Sequence, residues 1–448
     1  MMTRNFSKAF WTANVVELLE RAAYYGVFIV ITLYLSNILG FSDIQAGFIS
    51  GFFSAGLYLL PMFSGAYADK IGFRKAMLLA FLLLTAGYAA MGLLPTVLES
   101  AGLVSYGTKT EFHGIADSPA RWAIIPVMLL IMLGGSFVKS VISGTVARET
   151  TAANRARGFS IFYMMVNIGA FSGKTIVEPL RKSMGETGLI VLNYFSAAAT
   201  LLAFVLIFFL YASNRDDKNG KSIGEIWNGL LKVLSNGRLM VLIIIISGFW
   251  LVQGQMYATM PKYVLRMAGA DAQPAWYANI NPLVVFLFVN LVTHLMRKRK
   301  AITSMYIGMC ILPFSAFIMA AGNFVGTETI AGLHPIAFMM IVGIAFQGIA
   351  ETFISPRYLE YFSLQAPEGE EGLYLGFSHL HSFFSWLVAF IISGYLLDWF
   401  CPDPEKFPNH EAWQEAAKNA HYIWYVFVGI AVLSALALNL YARKTARQ

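Results

Sequence analysis

The chain has 448 residues, 57% of them hydrophobic and 13% charged, with a formal net charge of +7. Soluble domains carry about a quarter charged residues, so the composition excludes an ordinary water-soluble protein. Two cysteines, Cys310 and Cys401, offer neither a disulfide framework nor a metal-ligand spacing, and no metal or cofactor is expected.

Apolar runs of about 20 residues, each able to cross about 30 Å of hydrocarbon, recur along the chain. They predict spans near 10–37, 44–67, 75–94, 122–147, 157–180, 188–211, 238–260, 275–296, 301–321, 335–360, 373–398 and 421–441. The start, MMTRNFSKAFW, is followed by no small-residue cleavage site and runs straight into the first span, so a signal peptide is not expected. With a cytoplasmic N-terminus, even-numbered spans return the chain to that side. Most of the Lys and Arg then gather there: Lys70, Arg74 and Lys75, Arg155 and Arg157, and the run Arg297-Lys298-Arg299-Lys300. Such asymmetry orients membrane proteins and predicts both termini in the cytoplasm. It also accounts for the basic excess without a nucleic-acid partner.

The most polar stretch, 212–237, follows six spans and precedes six more. It reads as a cytoplasmic linker between an N-terminal six-helix bundle, 1–211, and a C-terminal one, 238–448, with an amphipathic piece at 223–234 on the membrane surface. Two six-helix bundles are the arrangement of the major facilitator superfamily, with its site near the midplane. The fold class is therefore an all-α membrane protein of twelve spans. The loop Ser64-Gly65-Ala66-Tyr67-Ala68-Asp69-Lys70-Ile71-Gly72-Phe73-Arg74-Lys75 resembles that superfamily's loop between the second and third helices. Its glycines suit a tight turn. Asp69 can cap a helix or pair with a basic residue, and Asp69 and Arg74 are the candidate conformational latch.

Ionisable residues at the centre of a span cost roughly 2.5–3.5 kcal/mol each, so each needs a reason. The first span holds Glu17, Glu20 and Arg21, followed by Tyr24 and Tyr25. Spacings of three and four put Glu17, Glu20, Arg21 and Tyr24 on one helix face. Two carboxylates against one guanidinium leave an excess negative charge, suited to a group that takes up and releases a proton. The alternative is that the first span begins later and the cluster lies at the cytoplasmic interface. Lys139 in the fourth span and Glu351 in the tenth are each mid-helix, one per half, with no local partner. Facing one another across a central chamber, they would neutralise each other and serve as both substrate site and gate. Lys174 and Glu178, with Arg181, read as a local interfacial group.

Several motifs resemble the proton-dependent oligopeptide transporters of that superfamily. Glu17-x-x-Glu20-Arg21-x-x-Tyr24-Tyr25-Gly26 is similar to the family's first-helix signature, Tyr58 to its second-helix tyrosine, and Gly158 to Phe171, with Tyr163 and Asn167, to its fifth-helix signature. Trp250, the run Asn279-Ile280-Asn281-Pro282-Leu283, and Glu351-x-x-x-Ser355-Pro356 followed by Ala366-Pro367 resemble motifs of the seventh, eighth and tenth helices. The resemblance implies proton-coupled symport of di- and tripeptides by alternating access. Glu351 would receive the peptide amino group with Asn281 and Asn167 near it. Lys139, Tyr24 and Tyr58 would hold the carboxylate end, with Tyr25, Trp250 and Ser355 also in the site. Glu17, Glu20, Arg21 and Glu351 would handle the proton. Three positions depart from the pattern: Phe28 stands where the family has Arg, Gly254 where it has Glu, and Ser140 where it has Pro. They motivate an alternative, a related carrier of another amphoteric or anionic solute with altered coupling.

His379 and His381 lie two apart in the eleventh span and read as structural hydrogen-bonding groups rather than a shared proton site. Trp424 reads as part of an interfacial aromatic belt. No nucleophile or metal constellation marks an enzyme. The expected setting is the plasma membrane (the inner membrane of a bacterium). A multi-pass monomer is expected there, its partners being lipid, protons and a small peptide-like substrate.

Overall fold

A computed structural model describes residues 6–107, 110–151, 154–212, 222–326, 328–363, 365 and 377–445, the side chains of 66, 69, 156, 363 and 445 excepted. In chain order the helices are α1 (Lys8–Phe28), α2 (Asp43–Leu59), α3 (Pro61–Ile71), α4 (Phe73–Ser100), α5 (Ile124–Glu149), α6 (Arg155–Met184), α7 (Thr187–Leu210) and α8 (Ile223–Ser235). There follow α9 (Gly237–Gln253), α10 (Met260–Ala268), α11 (Ile280–Met296), α12 (Ala301–Ala321), α13 (Pro335–Ser363), α14 (Leu380–Phe400), α15 (His410–Ala417) and α16 (Tyr422–Thr445). A two-stranded ribbon pairs Val104–Ser105 with Glu111–Phe112.

Among the described residues, 10 helical runs are long and apolar enough to span a membrane, and a bent pair makes up to 11. That pair is Lys8–Phe28 with Ile31–Ile38, turned by 47°, where one unbroken first span over 10–37 was expected. Val30 leaves helical geometry at φ −116° and ψ 13°, amid a β-branched run whose side chains crowd the preceding turn. The expected fifth span falls in α6, 30 residues long. Arg155, Arg157, Lys174, Glu178, Arg181 and Lys182 make it the most polar of the long helices.

Packing divides the chain into two units: Met1–Phe41 with Gly56–Asn228, and Ser42–Ala55 with Gly229–Gln448. In the first, α1 packs on α6 and α7, and α4 on α5 and α7. The approach of α1 to α6 depends on glycine. A Cβ at Gly169 would lie 2.4 Å from the Leu18 carbonyl oxygen, and one at Gly173 2.3 Å from that of Ala22, so no other residue allows the backbones this close. Between α3 and α4 the chain turns at Gly72, φ 88°, a conformation that side chains disfavour. Two hydroxyls stitch α3 to α5: Ser140 Oγ donates to the Pro61 carbonyl at 2.7 Å and Ser64 Oγ to that of Ser136 at 2.9 Å.

In the second unit α12 packs on α13 and α16, α11 on α13, and α9 on α14. The expected seventh span does not end at 260: after a short break the chain continues helical as α10, carrying Lys262 and Arg266 on the same line. Trp424 is not a belt residue, being 1% exposed with its ring edge-on to Tyr263 at 5.3 Å. The amphipathic piece at 223–234 is α8. It buries Ile226, Leu230 and Val233 and exposes Ile223, Trp227, Leu231 and Leu234, a second apolar stripe suited to an interface.

Candidate functional site

The first unit gathers the acid cluster of α1 in its interior. Arg21 Nη2 lies 2.5 Å from Glu20 Oε2 and Arg21 Nε 3.1 Å from Glu17 Oε1. All three residues are under 10% exposed, covered by the neighbouring helices of their unit. A guanidinium shared by two carboxylates offsets the cost, several kcal/mol, of burying each charge alone. Arg21 also stands 5.5 Å from the ring centroid of Tyr24. Phe28 is 2% exposed and stacks on Tyr24 at 4.8 Å, so the wall here is aromatic rather than cationic.

Lys139 reaches the same neighbourhood from α5. Its Nζ donates to the Leu57 carbonyl at 3.2 Å and lies 3.7 Å from the Tyr58 ring centroid, a cation–π geometry. Glu20, Arg21, Tyr24, Tyr88 and Lys139 together line a cavity of about 10 Å³, room for a single water. Tyr88, 2% exposed on α4, was not singled out by sequence reasoning, since one tyrosine in an apolar helix gives no local signal.

The remaining candidates of this unit scatter. Tyr25 packs edge-on to Tyr24 at 5.1 Å, with Lys174 Nζ 5.7 Å from its centroid. Lys174 and Glu178 are each 1% exposed, so the group expected at the interface is buried, with Arg181 Nη2 2.9 Å from Glu178 Oε2. Asn167 Nδ2 donates to the Tyr163 carbonyl one turn back at 2.7 Å. Arg74 Nη2 donates to the Phe208 carbonyl near the end of α7 at 2.7 Å. The Asp69 side chain and the Ala366-Pro367 motif lie outside the described residues.

In the second unit Glu351 is held by two amides: Gln253 Nε2 donates to its Oε2 at 2.5 Å and Asn281 Nδ2 to the same oxygen at 3.2 Å. Asn281 was expected; Gln253, three residues beyond Trp250, was not. Ser355, one turn along α13, has a buried Oγ with no hydrogen-bond partner, as has the Oε1 of Gln253. Trp250 faces the ring of His381 at 5.5 Å. His381 is itself 4% exposed, with Nδ1 2.6 Å from the Ser378 carbonyl and Nε2 3.2 Å from Ser382 Oγ, the structural role expected of it. At Gly254 a Cβ would meet the Trp250 carbonyl at 3.0 Å and Ala389 at 3.4 Å, which leaves little space for a longer side chain.

Sequence reading also missed a second buried charge group in this unit. Lys262 Nζ lies 2.6 Å from Asp43 Oδ1, and Arg266 Nη1 lies 2.8 Å from Asp43 Oδ2. Arg266 further donates to the Cys401 carbonyl at 2.7 Å and approaches Asp403 at 3.4 Å.

Long apolar helices carrying buried charged side chains define a multi-pass membrane protein. The chain belongs to the Major Facilitator Superfamily, whose family model matches residues 14–327. It is 30% identical over 229 residues to solute carrier family 15 member 1 of Oryctolagus cuniculus, which covers 49% of this chain but only 31% of that protein's length. It is 22% identical over 387 residues to multidrug resistance protein MdtH of Photorhabdus laumondii, 85% of each chain. A crystal structure of the peptide transporter POT in complex with sulfate superposes with TM-score 0.72 at 19% identity, over 100% of this chain and 96% of that one. The fold is therefore that of the superfamily.

Proposed function

We propose that this protein is a secondary transporter that couples inward movement of protons to symport of di- or tripeptides, a divergent member of the proton-dependent oligopeptide transporters. The observation that carries this reading is the buried Glu20–Arg21 pair, with Glu17 on the same guanidinium, sharing a cavity with Lys139. A proton-binding acid and a cation able to hold a carboxylate are there within one unit, and the likeness to a peptide transporter in fold supports the substrate class. Glu351, steadied by Gln253 and Asn281, would take the peptide amino group, with Trp250 and Ser355 beside it. Lys139, Tyr24, Tyr25 and Tyr58 would take the carboxylate end. Glu17 and Glu20 would carry the proton, and Asn167 would lie near the peptide amino group.

On this reading α6 is a twelfth span, its mid-helix Lys174 and Glu178 buried, and both termini are cytoplasmic. The halves 1–211 and 238–448 rock about the linker 212–237, with Asp69 and Arg74 latching one state. The protein works without catalysis and as a monomer, in the plasma membrane or, in a bacterium, the inner membrane. Phe28 in place of the family's Arg leaves Lys139 as the principal cation for the carboxylate.

The test is uptake of a labelled dipeptide into proteoliposomes with an imposed pH gradient. Accumulation that tracks the gradient and is competed by tripeptides is expected. A gradient-independent signal, or competition by organic anions but not by peptides, would overturn the reading.

A further inference from the structure

At one end of the second unit, cations from three helix ends converge. The turn between α11 and α12 is Arg297-Lys298-Arg299-Lys300, each residue exposed. The end of α16 comes to the same place. α12 and α16 pack in opposite directions: Phe317 stacks on Tyr425 at 6.3 Å, and further down Asn439 Nδ2 lies 3.5 Å from the Tyr306 hydroxyl. One turn beyond, Arg443 donates to Asn439 Oδ1 at 3.2 Å. Arg443 and Lys444, both exposed, therefore lie level with the first turn of α12, beside Lys300. Arg238, at the start of α9, joins them through a hydrogen bond to Tyr441.

These cations are not answered by acids. Among the described residues none of the seven is in an ion pair. Glu360 is next to Tyr361, whose hydroxyl meets that of Tyr441 at 3.3 Å, but Glu360 pairs with Arg357 at 2.6 Å. The sequence adds Glu368, Glu370 and Glu371 between α13 and α14, and seven cations outnumber those three. Basic residues elsewhere are engaged within the chain: Arg74 donates to the Phe208 carbonyl and Arg148 lies 3.7 Å from the centroid of Phe73. Orienting a membrane protein requires only that basic residues lie on one side. It does not require that they gather from three helices and stay unpaired.

Beside the cations the helices present bare leucines. Leu436 and Leu440 precede Lys444 at spacings of four on one face of α16 and are 53% and 67% exposed. Leu291 and Leu295, just before the turn on α11, are 53% and 58% exposed. Basic clusters at the ends of spans attract anionic lipids. Apolar surface running on from the cations is what acyl chains need and what a soluble phosphate would not use. We infer that this end of the second unit is a binding site for an anionic phospholipid. Its phosphate sits among Arg297–Lys300, Arg443 and Lys444, and its acyl chains lie along Leu436 and Leu440. The inference needs only that the helices cross a bilayer, and it holds whatever solute is carried.

The test counts bound lipids by native mass spectrometry of the purified full-length protein in detergent. Phosphatidylglycerol is the probe, and phosphatidylcholine with the same acyl chains is the control. The first phosphatidylglycerol should bind at least about tenfold more tightly than the first phosphatidylcholine. Lys298→Gln/Arg299→Gln and, separately, Arg443→Gln/Lys444→Gln should each weaken it about tenfold. Arg155→Gln/Arg157→Gln removes the same charge from exposed positions of the first unit and should leave binding unchanged. Unchanged thermal unfolding confirms the fold of each variant. Equal binding of the two lipids, or indifference to either of the first two pairs, overturns the proposal. Equal losses in all three double variants overturn it in favour of a diffuse charge effect. Displacement of the lipid by glycerol phosphate at equal concentration overturns it in favour of a soluble phosphate site.

Discussion

Asp43 and Lys262, 219 positions apart in the chain, meet at 2.6 Å with almost no solvent around either side chain. Arg266 closes on the same carboxylate from one turn further along α10. One buried acid thus faces two buried cations, with Asp403 a more distant second partner of Arg266.

Asp43→Asn is therefore expected to destabilise the protein by about 3–5 kcal/mol, the cost of an uncompensated buried charge. Lys262→Met should cost much less, since Arg266 still satisfies Asp43 and a methionine fills most of the lysine's volume. Thermal or denaturant unfolding of the detergent-solubilised protein measures both. Equal losses would show that Arg266 cannot sustain the carboxylate alone.

The α1–α6 contact gives a second test, at the level of packing. Gly173→Val drives a side chain into the Ala22 carbonyl, 2.3 Å from the position of a Cβ, and should cost at least about 1–3 kcal/mol. Gly429, inside α16, has nothing within 4 Å of its would-be Cβ. Gly429→Ala should instead stabilise by about 0.5–1 kcal/mol, by helix propensity. Opposite shifts in melting temperature are the expected pair of results.

Glu20 makes the shorter of the two ion pairs to Arg21. Glu20→Gln keeps the shape and removes the carboxylate. Peptide exchange between equal internal and external pools should survive, while accumulation driven by a pH gradient should be lost. If the variant still concentrates peptide in response to the gradient, the proton travels elsewhere.

Gln253 reaches Glu351 more closely than Asn281 does. Gln253→Leu removes the closer of the two amide donors to the carboxylate. The KM for dipeptide uptake should rise by about tenfold, equivalent to ~1.4 kcal/mol, with expression and unfolding temperature little changed. An unchanged KM would relegate Gln253 to packing. Glu351→Gln and Lys139→Ala, by contrast, should each abolish concentrative uptake.

The apolar spans, the ordered motifs of α1 and α6 and the charged residues within helices were all legible in the chain, because hydrophobicity and helical periodicity are properties of neighbours in sequence. Glu17, Glu20 and Arg21 share a face by spacing alone, and their mutual pairing followed from it. The 47° bend near Val30 was not legible, since β-branched residues weaken a helix without stating whether its packing will break it. Gly169 and Gly173 could be noted as glycines, but only the approach of α1 explains why nothing larger fits. The partners of Asp43 and the closer partner of Glu351 were hidden for one common reason, whereas the motif resemblance had already grouped Tyr58 with Lys139 and Asn281 with Glu351. A partner's identity depends on which helix packs alongside, here Lys262 and Arg266 on α10 and Gln253 on α9. Composition and periodicity determined that this is a helical membrane protein with ions in its interior. Tertiary packing decided which ions neutralise one another, because Coulomb and hydrogen-bond energies act over a few ångströms of space, whatever the distance along the chain.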